Sequence, residues 1–226
     1  MPNKTKIQDK SILITGGCGF IGSHLAKSLA MSNSICILDN KSSGKRSYKN
    51  KNIKYFIGET ININKILKNN FKFDYIFHLG EYSRVEQSFD EISKVIDYNT
   101  KPFFEVLEFA KRNNSKFIYS GSSTKFANYI NNKDTSPYAW SKISNIKFLK
   151  HFSHWFGLDY AVTYFYNAYG KGESHSGKYA TVIAKFLKLK KSGKNFLPIV
   201  KPGNQKRNFT HVNDIVNGLE IVALYG

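Results

Sequence analysis

The sequence predicts a doubly wound α/β fold, in which a parallel sheet carries helices on both faces. Two observations lead to this prediction. Short apolar runs alternate with stretches of helical spacing, and the first apolar run ends in a glycine-rich loop that opens a helix. Alternation of this kind favours parallel strands, because each crossover helix returns the chain to the same edge of the sheet. The 226 residues, 41% of them hydrophobic, are enough to bury a core.

The elements follow in a regular order up to Gly170. Apolar runs predict six strands, at Ser11–Thr15, Ser34–Asp39, Ile53–Ile57, 75–79, 116–120 and Tyr160–Phe165. Apolar residues at helical spacing predict helices at 20–31, about 90–113 and about 138–156. After Gly170 the pattern loosens, and we predict a helix at 178–192, a short strand at 196–200 and a last helix at Val212–Tyr225. Residues 1–170 are therefore expected to form the α/β domain, and residues 171–226 a smaller second region.

Composition limits the class of protein. The formal net charge is +18, but the lysines are scattered and no block of five or six like charges stands out, so we expect a solvated basic surface without nucleic-acid binding. No apolar run approaches the roughly eighteen residues of a membrane span, and residues 1–10 lack the apolar core of a signal peptide. Cys18 and Cys36 are too few for a disulfide framework and lack metal-ligand company. A cytoplasmic protein without a metal site or membrane association is expected.

The turn after the first strand carries three glycines at the spacing G-x-x-G-x-x-G. Gly16, Gly19 and Gly22 lie in the run TGGCGFIG. Glycine at these positions permits a tight turn, close approach of a pyrophosphate and close packing of helix on strand. The helix that starts at Phe20 and Ile21 offers free N–H groups and a partial positive charge to phosphates. The pattern predicts a Rossmann-type dinucleotide site.

An acidic residue follows at the distance such a site needs. Asp39 ends the second strand about twenty residues after the glycine loop, and Asn40 comes next. A carboxylate there accepts hydrogen bonds from the adenosine ribose and repels the additional phosphate of NADP, so NAD is predicted. Lys41, Lys45 and Arg46 follow closely and could soften that discrimination. The alternative is that Asp39 and Asn40 only start a turn.

Tyr138 and Lys142 are four residues apart at the start of a predicted helix and share one face. A free tyrosine has a pKa near 10 and is a poor base at neutral pH. One cation at about 6 Å in an effective dielectric near 20 stabilises a phenolate by roughly 3 kcal/mol. Lys142 together with a positive nicotinamide ring would therefore make Tyr138 an acid/base. A hydroxyl in the run Ser120-Gly121-Ser122-Ser123-Thr124, at the carboxyl edge of the fifth strand, could hydrogen-bond a substrate oxygen and relay its proton, although small polar residues there also form turns.

Together these motifs resemble the NAD-dependent epimerase/dehydratase family of extended short-chain dehydrogenases/reductases. The resemblance runs from Ser11 to about Leu224. It depends on TGGCGFIG at Thr15–Gly22, Asp39-Asn40, FHLGEYSRVEQS at 77–88, Asn99, Ser120–Thr124, PYAWSK at Pro137–Lys142, FYNAYG at Phe165–Gly170 and RNFTHV at Arg207–Val212.

The resemblance implies roles for individual residues. Tyr138 would be the acid/base, Lys142 would bind the nicotinamide ribose, and Ser122 would be the catalytic hydroxyl at the sugar. The residues expected along NAD are Gly16, Gly19, Phe20, Ile21, Gly22, Asp39, Asn40, Glu59, Leu79, Gly80, Asn99, Tyr138, Lys142 and Phe165. Asn167 and Arg207 would hold the diphosphate of a nucleotide-diphosphate sugar, such as a UDP-sugar; a guanidinium suits a diphosphate well. Residues 1–170 would be the NAD-binding domain with the catalytic residues, and residues 171–226 part of the substrate-binding region.

The sequence departs from the family pattern in four places. Glu59 stands where the family usually has Asp, and Glu81 replaces the small residue usually found beside the cofactor. The segment between Ser122 and Tyr138 is shorter than in a typical epimerase. Family members also continue well past Gly226, and that further part completes the sugar-nucleotide site.

The residues after Ser123 bear on the reaction. Dehydratases of this family place an acidic pair there and decarboxylases a Glu, whereas this chain has Thr124-Lys125-Phe126. Dehydration is therefore not expected, and epimerisation or plain reduction at a sugar carbon remains. An NAD-binding protein without turnover is a further alternative.

The resemblance also implies a homodimer. The helices around 90–113 and 138–156 would pair across a two-fold axis. Both have apolar residues beyond what one core-facing stripe requires, including Phe103, Phe104, Phe148 and Phe152.

Overall fold

The computed structural model describes residues 6–44, 46–68, 71–123, 136–174, 180–199, 201–204 and 206–226. Six parallel strands form the main sheet in the order β3-β2-β1-β4-β5-β6. Their bounds are β1 Ser11–Thr15, β2 Ser34–Asp39, β3 Ile53–Ile57, β4 Tyr75–His78, β5 Lys116–Ser122 and β6 Tyr160–Phe165. The predicted fold class is confirmed.

Seven α-helices lie in the described part of the chain. They are α1 Phe20–Leu29, α2 Ile63–Leu67, α3 Ile92–Val95, α4 Lys101–Asn113, α5 Pro137–Phe156, α6 Val182–Lys191 and α7 Val212–Tyr225. Two short strands, β7 Asn167–Tyr169 and β8 Phe209–His211, form a separate parallel pair. The sequence did not predict this pair, because each strand is three residues long and its partner lies some forty residues away.

Apolar residues on both faces of the sheet explain its two-sided cover. In β1, Ile12 and Ile14 pack with α1 and α7, whereas Leu13 packs with α2, α4 and α5. All three are fully buried. Near-continuous apolar strands are expected when helices cover both faces of a parallel sheet.

The strand order reverses at the centre of the sheet and creates a crevice. β1 pairs with β2 on one side and with β4 on the other. From the carboxyl end of β1 the chain crosses to β2 on one side of the sheet, and from the carboxyl end of β4 it crosses to β5 on the other side. Ligands of open α/β sheets bind at such a switch point. The first glycine of the loop, Gly16, directly follows β1 at this place.

The helix predicted over 90–113 is interrupted. Before α4, the chain forms a 3₁₀ turn at Glu86–Ser88, the single-turn helix α3 and a π-helical turn at Ile96–Thr100. In that turn the Lys101 N–H donates to the Ile96 carbonyl, five residues back. Pro102 follows and has no N–H with which to continue the ordinary α-helical bonding. The apolar periodicity did not reveal this break, which sets Asn99 facing α5.

The region after Gly170 differs from the prediction in detail. Helix α6 starts at Val182, because the Thr181 hydroxyl accepts the Ala184 N–H at 3.2 Å and caps it; Lys178 lies outside the described residues. The strand predicted at 196–200 is wrong for residues 196–199, which are irregular, and Val200 is outside the described residues. Phe196 and Ile199 are two-thirds exposed or more and have no neighbouring strand to pair with in the described part of the chain.

Helix α7 was predicted with its observed bounds, and it returns to the main sheet. Ile215, Val216 and Leu219 pack in the same core layer as α1. Helix α7 packs on the α/β core although it lies beyond residue 170. A domain boundary at residue 170 therefore stays a prediction. None of the described helices combines the length and the apolar character needed to cross a membrane.

The aromatic residues expected to be surplus to the core divide into two sets. Phe103 and Phe152 are buried, at 0% and 3% exposure, so for these two the expectation is wrong: the protein's own core uses them. Phe104 is 38% exposed and packs edge-on against Phe148 with ring centroids 4.6 Å apart.

Candidate functional site

Two glycines of the loop, Gly16 and Gly22, have no room for a side chain. Gly16 has φ +71, and a Cβ there would lie 2.7 Å from the Gly80 Cα atom. A Cβ on Gly22 would lie 2.3 Å from the Gly16 carbonyl oxygen. The loop is therefore held against the chain that follows β4, as a pyrophosphate cradle requires.

Helix α1 begins without a side-chain cap at its N-terminus. Gly19 is the N-cap and has no side chain to accept the N–H groups at the helix start. Phe20 and Ile21 form the first turn, which contains no acidic residue. Uncapped N–H groups and the helix dipole make this end suited to an anion.

The Asp39 carboxylate is bound between two loops. Its Oδ2 accepts the Cys18 N–H at 2.9 Å and its Oδ1 accepts the Lys41 N–H at 2.6 Å. The Asp39 carbonyl accepts the Gly58 N–H at 3.1 Å. The next residue, Glu59, is therefore close to the end of β2, and it is exposed. Burial, with the nearby Asp39 charge, raises the pKa of the Cys18 thiol to about 11, so this thiol stays protonated at neutral pH.

The segment after β2 folds over the glycine loop. The Asn40 side chain accepts the Ser42 N–H at 3.0 Å, and the Arg46 N–H donates to the Cys18 carbonyl at 3.2 Å. Lys41 and Arg46, two of the basic residues predicted to weaken the discrimination against NADP, thus lie next to the loop. Lys45 is outside the described residues.

Thr15 fixes the loop after β4. Its Oγ1 accepts the N–H groups of Leu79 and Gly80 at 3.2 and 3.1 Å and lies 2.7 Å from Nδ1 of His78. The other ring nitrogen of His78, Nε2, faces Glu81 at 3.3 Å.

Asn99 ties this loop to helix α5. Its Oδ1 accepts the Tyr82 N–H at 2.7 Å, and its Nδ2 donates to the Tyr82 carbonyl and to Ser141 Oγ, both at 3.0 Å. The side chain is fully buried. Its expected position along the cofactor stays a prediction; the contacts observed are those of a clamp between the loop and α5.

Helix α5 presents the candidate acid/base pair. Ser136 caps the helix by accepting the Ala139 N–H at 3.1 Å, so Tyr138 lies in the first turn and Lys142 one turn later. Both side chains are buried, and Lys142 Nζ donates to the Ser120 carbonyl at 2.6 Å. This bond anchors the lysine to the carboxyl end of β5.

Ser122 ends β5 and stands opposite Phe165 at the end of β6 in the sheet register. Ser122 is buried, and Phe165 is partly buried against the α1 and α7 layer. The carboxyl ends of β5 and β6 thus bring together the candidate hydroxyl and the aromatic residue expected near the nicotinamide. Thr124, Lys125 and Phe126 lie outside the described residues.

Glu81 is a site residue that the sequence did not assign. Its carboxylate forms an ion pair with Lys142 Nζ, and the two side chains are 2% and 5% exposed. The sequence indicated only that a carboxylate replaces a small residue beside the cofactor. The pairing depends on the approach of the β4 loop to α5, sixty residues later, which no local pattern reveals.

Asn167 and Arg207 meet at the small second sheet. Strand β7 pairs with β8 so that Asn167 is opposite Phe209, and Asn167 Nδ2 donates to the Asn208 carbonyl at 3.0 Å. Arg207 is exposed just before that strand. The structure therefore brings these two predicted diphosphate ligands near each other, although forty residues separate them.

Comparison with known proteins gives relatives of one family. Residues 12–224 match the sequence profile of the NAD dependent epimerase/dehydratase family. A putative UDP-glucose 4-epimerase from Methanocaldococcus jannaschii is 29% identical, over 90% of this chain and 70% of the relative. A dTDP-D-glucose 4,6-dehydratase from Dictyostelium discoideum is also 29% identical; the match covers 100% of this chain and 58% of that protein.

A solved structure supports the same relationship. The UDP-N-acetylglucosamine 4-epimerase from Methanobrevibacter ruminantium, in complex with UDP-N-acetylmuramic acid, superposes with a TM-score of 0.87 at 31% identity. The match covers 96% of this chain and 74% of that one. The family match confirms NAD as the predicted cofactor and the Rossmann-type fold as the predicted architecture. The chain belongs to the NAD dependent epimerase/dehydratase family.

Proposed function

We propose that this chain is an NAD-dependent epimerase that inverts a sugar carbon of a UDP-sugar, in the manner of UDP-glucose 4-epimerase. One observation carries the proposal: Tyr138 and Lys142 lie on successive turns of α5, both buried, with the lysine anchored to Ser120 at the carboxyl end of β5. The similarity to a putative UDP-glucose 4-epimerase and to a UDP-N-acetylglucosamine 4-epimerase supports it.

The residues around the crevice fit NAD. Gly16, Gly22 and Gly80 leave no space for a Cβ, which is the close backbone approach that a pyrophosphate needs. The residues that would hold the cofactor are those predicted: Gly16, Gly19, Phe20, Ile21, Gly22, Asp39, Asn40, Glu59, Leu79, Gly80, Asn99, Tyr138, Lys142 and Phe165. When bound, NAD supplies a reversible hydride acceptor.

In this proposal, the protein moves one proton and holds the sugar. Tyr138 accepts the proton of the sugar 4-hydroxyl, directly or through Ser122. It returns the proton to the same oxygen after the sugar has rotated to present its other face. The Lys142 ammonium favours the phenolate form of Tyr138 by Coulomb attraction. Asn167 and Arg207 bind the diphosphate, for which the planar guanidinium is well suited.

The absence of an acid after Ser123 favours epimerisation over the other reactions in this family. The similar proteins include a dehydratase and a decarboxylase. Eliminating a hydroxyl needs a group that can protonate it as it leaves. This sequence has Thr124, Lys125 and Phe126 at that place, and none of them is a carboxylic acid.

Turnover of a Tyr138→Phe variant tests the proposal. UDP-glucose and UDP-N-acetylglucosamine are incubated with the chain and NAD, and C4 inversion is followed by NMR. We expect the variant to lose about 100-fold or more in kcat, since general acid–base catalysis contributes about that much. Tyr225→Phe, an exposed tyrosine at the end of α7, is the matched control and should keep wild-type activity.

Three results would contradict the proposal. Near-normal inversion by Tyr138→Phe removes the assigned acid/base. Stoichiometric NADH formation without inversion identifies a reductase or dehydrogenase. NAD binding without any conversion of the sugars leaves a cofactor-binding protein without turnover.

We also propose that two copies associate through α4 and α5. The exposed aromatic side chains on α5 support this: Trp140, Trp155 and Phe156 are each about half exposed. Phe104 from α4 continues this aromatic surface through its contact with Phe148. Large exposed apolar patches of this kind are typical of protein interfaces.

A further inference from the structure

Glu81 stands at the centre of a buried polar network. Tyr119 donates its phenol hydrogen toward both carboxylate oxygens, each 3.1 Å away. Asn145 Nδ2 lies 3.4 Å from one of those oxygens and 3.1 Å from the Tyr119 hydroxyl. His78 contributes the 3.3 Å contact from Nε2. With Lys142, four side chains from β4, β5 and α5 therefore surround one carboxylate.

This environment keeps the carboxylate ionised. Burial by itself raises the pKa of Glu81, but the positive charge of Lys142, with the contact to His78, outweighs burial and holds the pKa below its ordinary value. The opposite holds for Tyr119: burial, then the negative charge of Glu81, raises its pKa well above the ordinary value. At neutral pH the pair is therefore a carboxylate that accepts a hydrogen bond from a neutral phenol.

The network also fixes where the lysine ammonium points. Lys142 Nζ donates to the Ser120 carbonyl at 2.6 Å, lies 3.4 Å from Ser120 Oγ, and pairs with Glu81. It stands 4.8 Å from the centre of the Tyr119 ring. An ammonium has three N–H donors, so these contacts occupy most of its bonding capacity on the side of β5 and the β4 loop.

Lys142 accordingly presents to its surroundings the field of an ion pair and not that of a lone ammonium. A cation favours loss of the Tyr138 proton, and a carboxylate bonded to that cation opposes it. Among the described residues, His78 from β4 and Tyr119 from β5 contact this pair, and Tyr138 from α5 interacts electrostatically with Tyr119.

We propose that Glu81 is a positioning residue that acts on Tyr138 through Lys142: it orients the ammonium and offsets part of its charge, and so sets the pH at which Tyr138 gives up its proton. This inference rests on the proposed function, in which Tyr138 is the acid/base. A residue that only supported the fold would change stability and leave that pH unmoved.

The test compares Glu81→Gln with wild type in two measurements. The first is the pH dependence of kcat/KM for C4 inversion with saturating NAD. The second uses cofactor-free protein: the ultraviolet absorbance of phenolate is titrated in each protein and in its Tyr138→Phe counterpart, and the difference isolates Tyr138. We expect Glu81→Gln to move both transitions to lower pH, by about one unit, the order of shift that the loss of a nearby opposing charge produces.

Two further variants separate charge from packing. Glu81→Asp keeps the charge and should return the transitions toward the wild-type pH. Tyr119→Phe removes a hydrogen bond to the same carboxylate without removing charge, so it should leave both transitions within a few tenths of a pH unit. If Glu81→Gln does not fold, a shift in Tyr119→Phe larger than in Glu81→Asp would overturn the inference, because the transitions would then follow packing and not the carboxylate charge.

The two proposals fail in different ways. If Glu81→Gln and wild type share both transitions, or the transitions move to higher pH, the role of Glu81 is refuted while epimerisation stands. If Tyr138→Phe turns over normally, the acid/base assignment is refuted. The ultraviolet titration then still reports whether Glu81 controls the ionisation of Tyr138.

Discussion

At the scale of single residues, the site depends on how buried charges are balanced. Lys142 and Glu81 are both nearly inaccessible to solvent, and each would be costly alone. Tyr119 donates a hydrogen bond to the carboxylate, and the ammonium donates one to Ser120. These bonds use hydrogen-bonding capacity of the two charged groups that the ion pair leaves unused. The lysine of the proposed acid/base pair is thus held in place by Glu81 and Ser120.

The same balance predicts a pH-dependent stability. The pKa of Glu81 is lower in the folded protein than its ordinary value of 4.5. The stabilisation it provides is therefore fully present above about pH 4.5 and is lost as the pH falls through the folded-state pKa. We expect Glu81→Gln to be less stable than wild type at pH 7, by about 3 kcal/mol, and the difference to shrink below pH 4.5. Urea unfolding at a series of pH values measures it.

Asp97→Asn is the control for this stability series. Asp97 pairs with Lys101 on the surface, where both side chains are more than half exposed, so its loss should change stability by about 0.5 kcal/mol or less. A difference between Glu81→Gln and wild type that stays constant down to acid pH would show that the carboxylate charge does not contribute.

At the scale of the elements, the junction between β1 and α1 is tightly constrained by main-chain packing. Two main-chain segments, the glycine loop and the chain after β4, come within contact distance of each other there. Hydrogen bonds from Leu79 and Gly80 to Thr15 hold that approach. The dinucleotide cradle is therefore built from the backbone, and side chains only anchor it.

A pair of glycine substitutions in helices tests this constraint. Gly22→Ala would place a Cβ 2.3 Å from the Gly16 carbonyl oxygen, so we expect lower stability by roughly 2 kcal/mol and at least tenfold weaker NAD binding. Gly218→Ala adds a Cβ in open space on α7 and should stabilise by about 0.5–1 kcal/mol, as alanine does in a helix. Thermal unfolding and NAD titration calorimetry measure both. Equal behaviour of the two variants would refute the close-packing argument.

At the scale of the whole molecule, the core is divided between the two faces of one sheet. One layer holds α2, α4 and α5 and the other holds α1 and α7. Helix α5 serves both the core and the candidate site: Leu149 and Phe152 pack inward, whereas Lys142 donates to Ser120 near the carboxyl end of β5. Its remaining aromatic surface is exposed and is the proposed contact between two copies.

Sedimentation of a charged variant tests that contact. Trp155 is 57% exposed on α5, and a glutamate there would have to be buried in the proposed interface. We expect wild type to sediment as a dimer at micromolar concentration and Trp155→Glu to sediment as the 25.8 kDa monomer. Met31→Glu, 79% exposed beyond the end of α1, should remain dimeric. A monomeric wild type would contradict the proposal.

The sequence by itself determined the sheet, the cofactor and the candidate acid/base pair. Five of the six strands end within one residue of their predicted bounds, and β5 runs on to Ser122, because buried parallel strands are short apolar runs bounded by glycine or polar residues. The glycine loop and Asp39 act through main-chain geometry within one βαβ unit. Such local requirements are visible in the order of residues.

Only the tertiary structure decided which distant groups meet. The ion pair of Glu81 with Lys142, the clamp formed by Asn99, and the pairing of β7 with β8 all join segments forty or more residues apart. The burial of Phe103 and Phe152 in the protein's own core was decided in the same way. A residue's type and its near neighbours fix its local conformation, but the charge or apolar surface it faces is set by packing between elements. Composition and periodicity do not encode that packing.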